Sequence, residues 1–198
     1  MNEIHFHRRN LPHFYRVNST YFITYRLKGT IPIKVLEELK SKYSQEKVPT
    51  TKEEKYRLDK LYFSEYDKYL DSNRDINWLT NKDITEIVQT SLHFYNKKDY
   101  DLICYTIMPN HVHLVFHLLE NARPIDKIMH SIKRFSARES NKLLNREGSF
   151  WQSESYDHIV RDEDELERII KYVLLIPVKA KLVERWEDSE YSYLAKSW

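Results

Sequence analysis

Hydrophobic positions recur along this chain with two different periods, and the order of those periods predicts an architecture. Tyr21-Phe22-Ile23-Thr24-Tyr25-Arg26-Leu27 is aromatic and β-branched and is closed by Gly29, which reads as a strand. Val35, Leu36, Leu39 and Tyr43 then step at helical spacing, so a helix is predicted over 33–43. A charged stretch, 52–70, carries Leu58, Leu61, Tyr62, Tyr66 and Tyr69 at helical spacing, and 83–95 does the same through Ile84, Ile87, Val88, Leu92 and Tyr95. Two strands, 101–108 and 111–119, are joined by Pro109-Asn110, a pair suited to a turn, and so predict an antiparallel hairpin. Pro124 is placed to start a helix with Ile125, Ile128, Met129, Ile132 and Phe135 as its apolar stripe. A short strand is predicted over 156–160. Asp162 followed by Glu165 resembles a capping box and opens a last helix over 163–175. Pro177 disfavours helical geometry at Ile176 and should end it.

Helices packed on one small antiparallel sheet define an α+β domain, and a ferredoxin-like arrangement fits this order. One domain spans 1–198, with a helical insertion or lid at about 49–77. No chemistry attaches to that insertion from the sequence.

Composition narrows the function by exclusion. Of 198 residues, 41% are apolar and 31% charged, ordinary for a globular protein with a real core. No apolar run approaches the ~18 residues of a membrane span. The first twenty residues lack a signal-peptide block, and Cys104 has no partner for an internal disulfide, so a cytoplasmic protein is expected. Gly29 and Gly148 are the only glycines. Neither a dinucleotide fingerprint nor a phosphate-cradling loop can be built from them, so no nucleotide cofactor is expected. The net charge of +2 says little, but the charge is distributed in blocks. Arg123, Lys127, Lys133, Arg134, Arg138, Lys142 and Arg146 face only Asp126 and Glu139 over 123–146. Taken alone, such a block is a solvated helix face.

His111-Val112-His113 lies on the second hairpin strand. Alternation puts both imidazoles on one face, one pleat apart, where they can share a metal ion. Val112, Leu114, Phe116 and Leu118 face the other way, toward the core. His117 shares the histidine face but lies roughly 13 Å from His113, too far to join the same ion. His5, His7, His13, His93 and His130 read as surface or packing residues. On the last helix, Leu166, Ile169, Ile170, Val173 and Leu174 form one stripe, and Tyr172 lies roughly 120° from its centre. Two readings stand: an amphipathic tyrosine with its hydroxyl in water, or a nucleophile. A phenol with a pKa near ~10 needs assistance at neutral pH, and a metal on a substrate phosphate would supply it.

Tyr105-Thr106-Ile107-Met108-Pro109-Asn110-His111-Val112-His113-Leu114-Val115 resembles the histidine motif of single-tyrosine HUH transposases of the IS200-like type. Phe150-Trp151-Gln152, Tyr156-Asp157-His158-Ile159-Val160-Arg161-Asp162 and Tyr172-Val173-Leu174, followed by Pro177-Val178-Lys179-Ala180, narrow the resemblance to REP-associated tyrosine transposases. It runs from about Tyr21 to Trp186. It implies a ferredoxin-like catalytic domain and a divalent metal, Mg²⁺ or Mn²⁺, on His111 and His113. It implies that Tyr172 attacks a DNA phosphate to give a 5′-phosphotyrosine and a free 3′-hydroxyl. It also implies single-stranded hairpin DNA as partner, and a homodimer is compatible with it.

The sequence departs from the family pattern at Ile176, where relatives usually carry Asn or Gln able to complete the metal site, and at Lys181, usually glycine. Two histidines alone hold a hard cation poorly. Either another residue substitutes, with His158, Asp157 and Glu154 as candidates, or this chain is a catalytically weakened DNA-binding protein that retains hairpin recognition. For His158, structural hydrogen bonding is the alternative reading. With the resemblance in hand, Lys127, Lys133, Arg134 and Arg138 become a phosphate-tracking face. Trp151 either stacks on a base or packs.

Overall fold

The computed structural model describes residues 5–8, 12–45, 51–73, 75–196 and 198. Its strands are β1 (His5–Arg8), β2 (Pro12–Tyr15), β3 (Ser19–Arg26), β4 (Tyr100–Ile107), β5 (His111–Leu118), β6 (Tyr156–Ile159) and β7 (Ser192–Leu194). Its helices are α1 (Ile33–Gln45), α2 (Lys52–Ser72), α3 (Lys82–Phe94), α4 (Ile125–Leu143) and α5 (Glu163–Lys179). β1 and β2 pair with each other, and the other five strands form one antiparallel sheet in the order β6-β3-β5-β4-β7. Strands β3, β4, β5 and β6, with α3 and α4, make the split βαβ arrangement of a ferredoxin-like fold. α1 and α2 intervene between β3 and α3, and β7 adds an outer strand beside β4.

Both faces of this sheet are buried. Tyr21, Ile23 and Tyr25 of β3 and Val112, Leu114 and Phe116 of β5 share a core with Ile84, Val88 and Leu92 of α3 and Ile128 and Ile132 of α4. Phe22 and Val115, on the opposite face, share a second core with Leu39 of α1, Phe63, Tyr66 and Leu70 of α2, and Leu166, Ile170 and Val173 of α5. His111 (1% exposed) and His113 (0%) follow the parity of Val115, so they lie beneath this second helical layer.

The structure corrects four local expectations. The buried line of α2 is Phe63, Tyr66, Asp67 and Leu70, while Leu61 and Tyr69 are exposed. Several apolar stripes compete on this charged helix, and the one that meets Phe22 is buried. Phe135 of α4 is exposed, and Ser136 and Ser140 are buried in its place. The Trp151 indole donates to Ser136 Oγ (2.9 Å), which draws that side of the helix inward. α5 runs through Pro177 to Lys179. Burial of Ile176 and Pro177 against the core outweighs the one backbone donor that proline lacks. The start of α5 is only half a capping box. Asp162 accepts from the Glu165 N–H (2.8 Å), but the Glu165 carboxylate takes the Arg161 N–H (2.8 Å) rather than that of Asp162. The side chains of His5, His7 and His13 lie outside the described residues. His93 packs on Tyr105, and His130 is exposed.

Candidate active site

The site forms where α2 and α5 close over the first residues of β5. Strand alternation sends His111 and His113 to the same side, with their Nε2 atoms 2.9 Å apart. Thr24, cross-strand partner of His113 on β3, places Oγ1 2.8 Å from His113 Nδ1. Asn110 Oδ1 lies 2.5 Å from His111 Nδ1. With each Nδ1 taken by an outer partner, each Nε2 is turned toward the same point, the arrangement of paired metal-ligating imidazoles.

Asp67 of α2 supplies an oxygen at that point. Its Oδ1 lies 3.4 Å from His113 Nε2 and 4.0 Å from His111 Nε2. That oxygen is buried and has no hydrogen-bond partner. An unpartnered buried carboxylate oxygen is costly, and a cation would relieve the cost. Ligand atoms of Asp67, His111 and His113 all lie within 4.8 Å of one another, and among the described residues this is the only such group of three. Ligands at right angles on a six-coordinate ion with ~2.1 Å bonds lie roughly 3.0 Å apart, close to the 2.9 Å between the two Nε2 atoms. Two neutral nitrogens and one carboxylate oxygen therefore fit a small, hard divalent cation better than two histidines alone.

Burial pushes both imidazoles down to about 3; for His111, neighbouring His113 adds to it. Near neutral pH both are uncharged, so neither forms an ion pair with Asp67 and both are free to ligate. The same shift predicts acid sensitivity. Depressed histidine pKa values contribute stability that is complete above the unfolded value of ~6.5 and is lost as pH falls toward about 3. Burial raises the Asp67 pKa, which opposes the trend in part. Melting temperature of the metal-free protein should fall steadily between pH 7 and pH 5 in a calorimetric titration. His111→Ala/His113→Ala protein should show a shallower slope.

Tyr172 completes the constellation. Its hydroxyl donates a hydrogen bond to Asp67 Oδ2. Its ring packs edge-on against Phe22 (6.2 Å between centroids), Phe63 (6.1 Å) and His113 (6.0 Å). The sequence reading that left this hydroxyl in water therefore fails. The angular estimate was sound, but α2 covers the flank of α5 on which Tyr172 stands. Burial, then the Asp67 charge, raises its pKa far above the ordinary phenol range. A cleft of about 430 Å³ between α2 and α5 reaches Tyr172 and Asp67 past Lys60, Phe63, Tyr156 and Arg168.

The other singled-out residues separate into groups. His158 contacts Glu165 Oε1 (3.2 Å), which also accepts from the Tyr56 hydroxyl (2.5 Å), so His158 serves a latch between α2 and α5. Asp157 and Glu154 line a second groove of about 660 Å³ beside α4 and are not grouped with the histidines. Ile176 is 2% exposed in the core. Lys127 and Arg134 are exposed along the α4 groove, while Arg138 pairs with Glu139 (2.6 Å). Lys133 is spent on structure, donating to Gln152 O (3.0 Å), Ser153 O (3.2 Å) and Ser155 Oγ (2.7 Å). Trp151 is buried against Tyr25, which favours packing over stacking. Sequence reasoning missed Asp67. Its signal was a carboxylate inside the apolar line Phe63, Tyr66 and Leu70 of a helix otherwise charged on its open side.

Comparison with known proteins agrees with the fold. The family model of IS200-like transposases matches residues 70–174, just over half of the chain, and the chain belongs to that family. The match holds both histidines and Tyr172 and begins three residues after Asp67. Within the family, the chain is 29% identical over 102 residues to a Haemophilus influenzae protein assigned as a REP-associated tyrosine transposase, covering 47% of this chain. The matched region spans 58% of that relative's length. A solved structure of a REP-associated tyrosine transposase bound to a REP hairpin superposes with a TM-score of 0.59 at 14% identity. That superposition covers 93% of this chain and 82% of the other. No helix among the described residues is long and apolar enough to cross a membrane.

Proposed function

We propose that this protein binds single-stranded, hairpin-forming DNA of the REP type and cleaves and rejoins it through Tyr172, with Mg²⁺ or Mn²⁺ held by His111, His113 and Asp67. The observation that carries this reading is the convergence of the Tyr172 hydroxyl and a buried, half-satisfied carboxylate on the histidine pair. A bound divalent cation would withdraw charge from the scissile phosphate and stabilise the charge that develops in the transition state. The Tyr172 oxygen forms the new bond to phosphorus as its proton passes to the Asp67 carboxylate it already bonds, and the bond to the 3′-oxygen breaks, that oxygen leaving with a proton from solvent. The product is a 5′-phosphotyrosine and a free 3′-hydroxyl. The ester keeps the bond energy, so reversal reseals a strand without a nucleotide cofactor. Phe22 and Phe63 pack edge-on against the Tyr172 ring and hold it in place at the end of the cleft.

The DNA path follows from the sheet edge. β6 is an outer strand: Asp157 faces the α4 groove, while Tyr156 and His158 line the cleft that reaches Tyr172. A strand tracked by Lys127 and Arg134 crosses this edge to reach the nucleophile. Lys133 lends its charge but is fixed in place, so its substitution should lower melting temperature as well as affinity. Arg134→Ala should reduce the slope of log affinity against log salt by roughly 0.7–0.9, the share of one phosphate contact, with unchanged melting temperature. An unchanged slope would remove Arg134 from the DNA face.

The direct test uses hairpin oligonucleotides labelled at one end or the other, incubated with Mn²⁺ or with chelator. A 5′-phosphotyrosine retains the 3′ portion of the strand, so only 3′-labelled DNA should migrate with denatured protein, and only with metal. Adducts carrying the 5′ label would refute the assigned polarity. Salt-dependent hairpin binding with no adduct at any sequence would instead support a recognition module without turnover.

A further inference from the structure

We infer that Asn110 is a positioning residue that sets the tautomer of His111 and docks the C-terminal end of α2, so that both halves of the metal site assemble together. This rests on the metal reading above. The Asn110 amide makes three hydrogen bonds. Its Nδ2 donates to Leu70 O (2.9 Å) in the last turn of α2 and to Asn73 O (2.6 Å), the residue that caps it. Its Oδ1 faces His111 Nδ1 at 2.5 Å. Two carbonyls on the nitrogen side fix which way the amide points, because only the NH₂ group can meet them. The oxygen must then face the ring, and an oxygen there can only accept. His111 therefore carries its proton on Nδ1 and presents a bare lone pair at Nε2, toward Asp67 and His113.

The two functions of one side chain are linked. Asp67 lies one turn before the anchored end of α2, so the bonds to Leu70 and Asn73 set its axial position over the histidines. If α2 shifts, Asn110 loses its donors' partners and is free to flip. A flipped amide would offer N–H to Nδ1 and move the ring proton to Nε2, into the place a cation would take. Thr24 cannot impose a tautomer in this way on His113, because a hydroxyl can donate or accept. Asn73 extends the anchor by donating from Nδ2 to Thr30 O (2.7 Å), and Arg26 braces the same region through Tyr66 Oη (2.9 Å) and Thr30 Oγ1 (3.1 Å).

The test measures the tautomer directly, in metal-free protein. Long-range ¹H–¹⁵N spectra of the wild type should show His111 with a protonated Nδ1 and a bare Nε2. Asn110→Ala should lose that pattern and weaken Mn²⁺ binding, measured by calorimetry, about 10–100-fold, the usual effect of removing an outer partner of a metal-ligating histidine. Asn110→Asp keeps an acceptor for Nδ1 but no donor for α2. It should retain the Nδ1–H pattern while losing protection of the Leu70 to Asn73 amides from hydrogen exchange. A wild-type His111 protonated on Nε2, or an alanine variant with unaltered tautomer, would overturn the inference. If the alanine variant does not fold, loss of the Nδ1–H pattern in the aspartate variant overturns it alone. Absence of Mn²⁺ binding to wild type would count against the metal reading, and the nitrogen shifts would still decide the role of Asn110.

Discussion

Tyr172→Phe should abolish the covalent protein–DNA adduct while leaving hairpin affinity within about twofold. The substitution removes one oxygen and keeps the ring that packs on Phe22, Phe63 and His113. It also removes a hydrogen bond to Asp67, whose Oδ1 already lacks a partner. In the metal-free protein this leaves a buried carboxylate less satisfied, with a cost of about 1–3 kcal/mol. The loss of activity is of another order, because the other hydroxyl at the pair, that of Thr24, bonds His113 at Nδ1 and not on the Nε2 side that the two imidazoles share. The measurement is a denaturing gel with 3′-labelled hairpin and Mn²⁺, beside an equilibrium binding titration of the same DNA. An adduct surviving in the phenylalanine variant would exclude Tyr172 as the nucleophile. A lost adduct with equally lost binding would make it a binding residue instead.

Asp67→Ala should have the second-largest effect. It should weaken Mn²⁺ binding by more than the roughly 10–100-fold typical of an outer-shell partner, since it removes the one oxygen donor. Adduct formation at fixed metal should fall in proportion and recover partly at high Mn²⁺ concentration. Stability should move the other way. Burial raises the Asp67 pKa, so its ionised form costs folding free energy at neutral pH, and that cost grows as pH rises through the folded-state value. The alanine variant without metal should therefore melt no lower than wild type near pH 7. Ile176→Asn is the natural control, because the family resemblance leads us to expect Asn or Gln at that position. Ile176 is buried and the Asp67 carboxylate already stands at the histidines, so we expect lower stability and no gain in metal affinity. A gain would assign the third ligand position to residue 176.

Much of the frame was legible from periodicity. Strands over Tyr21–Leu27 and the β4–β5 hairpin, the helix after Pro124 and the helix carrying Tyr172 all lie where apolar spacing put them, because each buries one face against the sheet. The paired orientation of His111 and His113 followed from the pleat, which is a local property of the chain. The ends were less legible. Pro177 was expected to stop α5, and packing of Ile176 carries the helix past it.

What the sequence determined by itself was which residues could share a face: the two histidines on one strand, the tyrosine on the flank of one helix, the basic residues along another. Tertiary structure alone decided what those faces meet. Asp67 reaches His111 across 44 positions of chain, His113 across 46 and Tyr172 across 105, and no local period encodes a contact between separate elements. The charged α2, to which the sequence attached no chemistry, brings a carboxylate to the histidines, because an apolar line containing one carboxylate buries that carboxylate with it. Asn110 likewise looked like half of a turn pair. Only the docking of α2 against it shows a side chain that has two carbonyls to hold and one imidazole to orient.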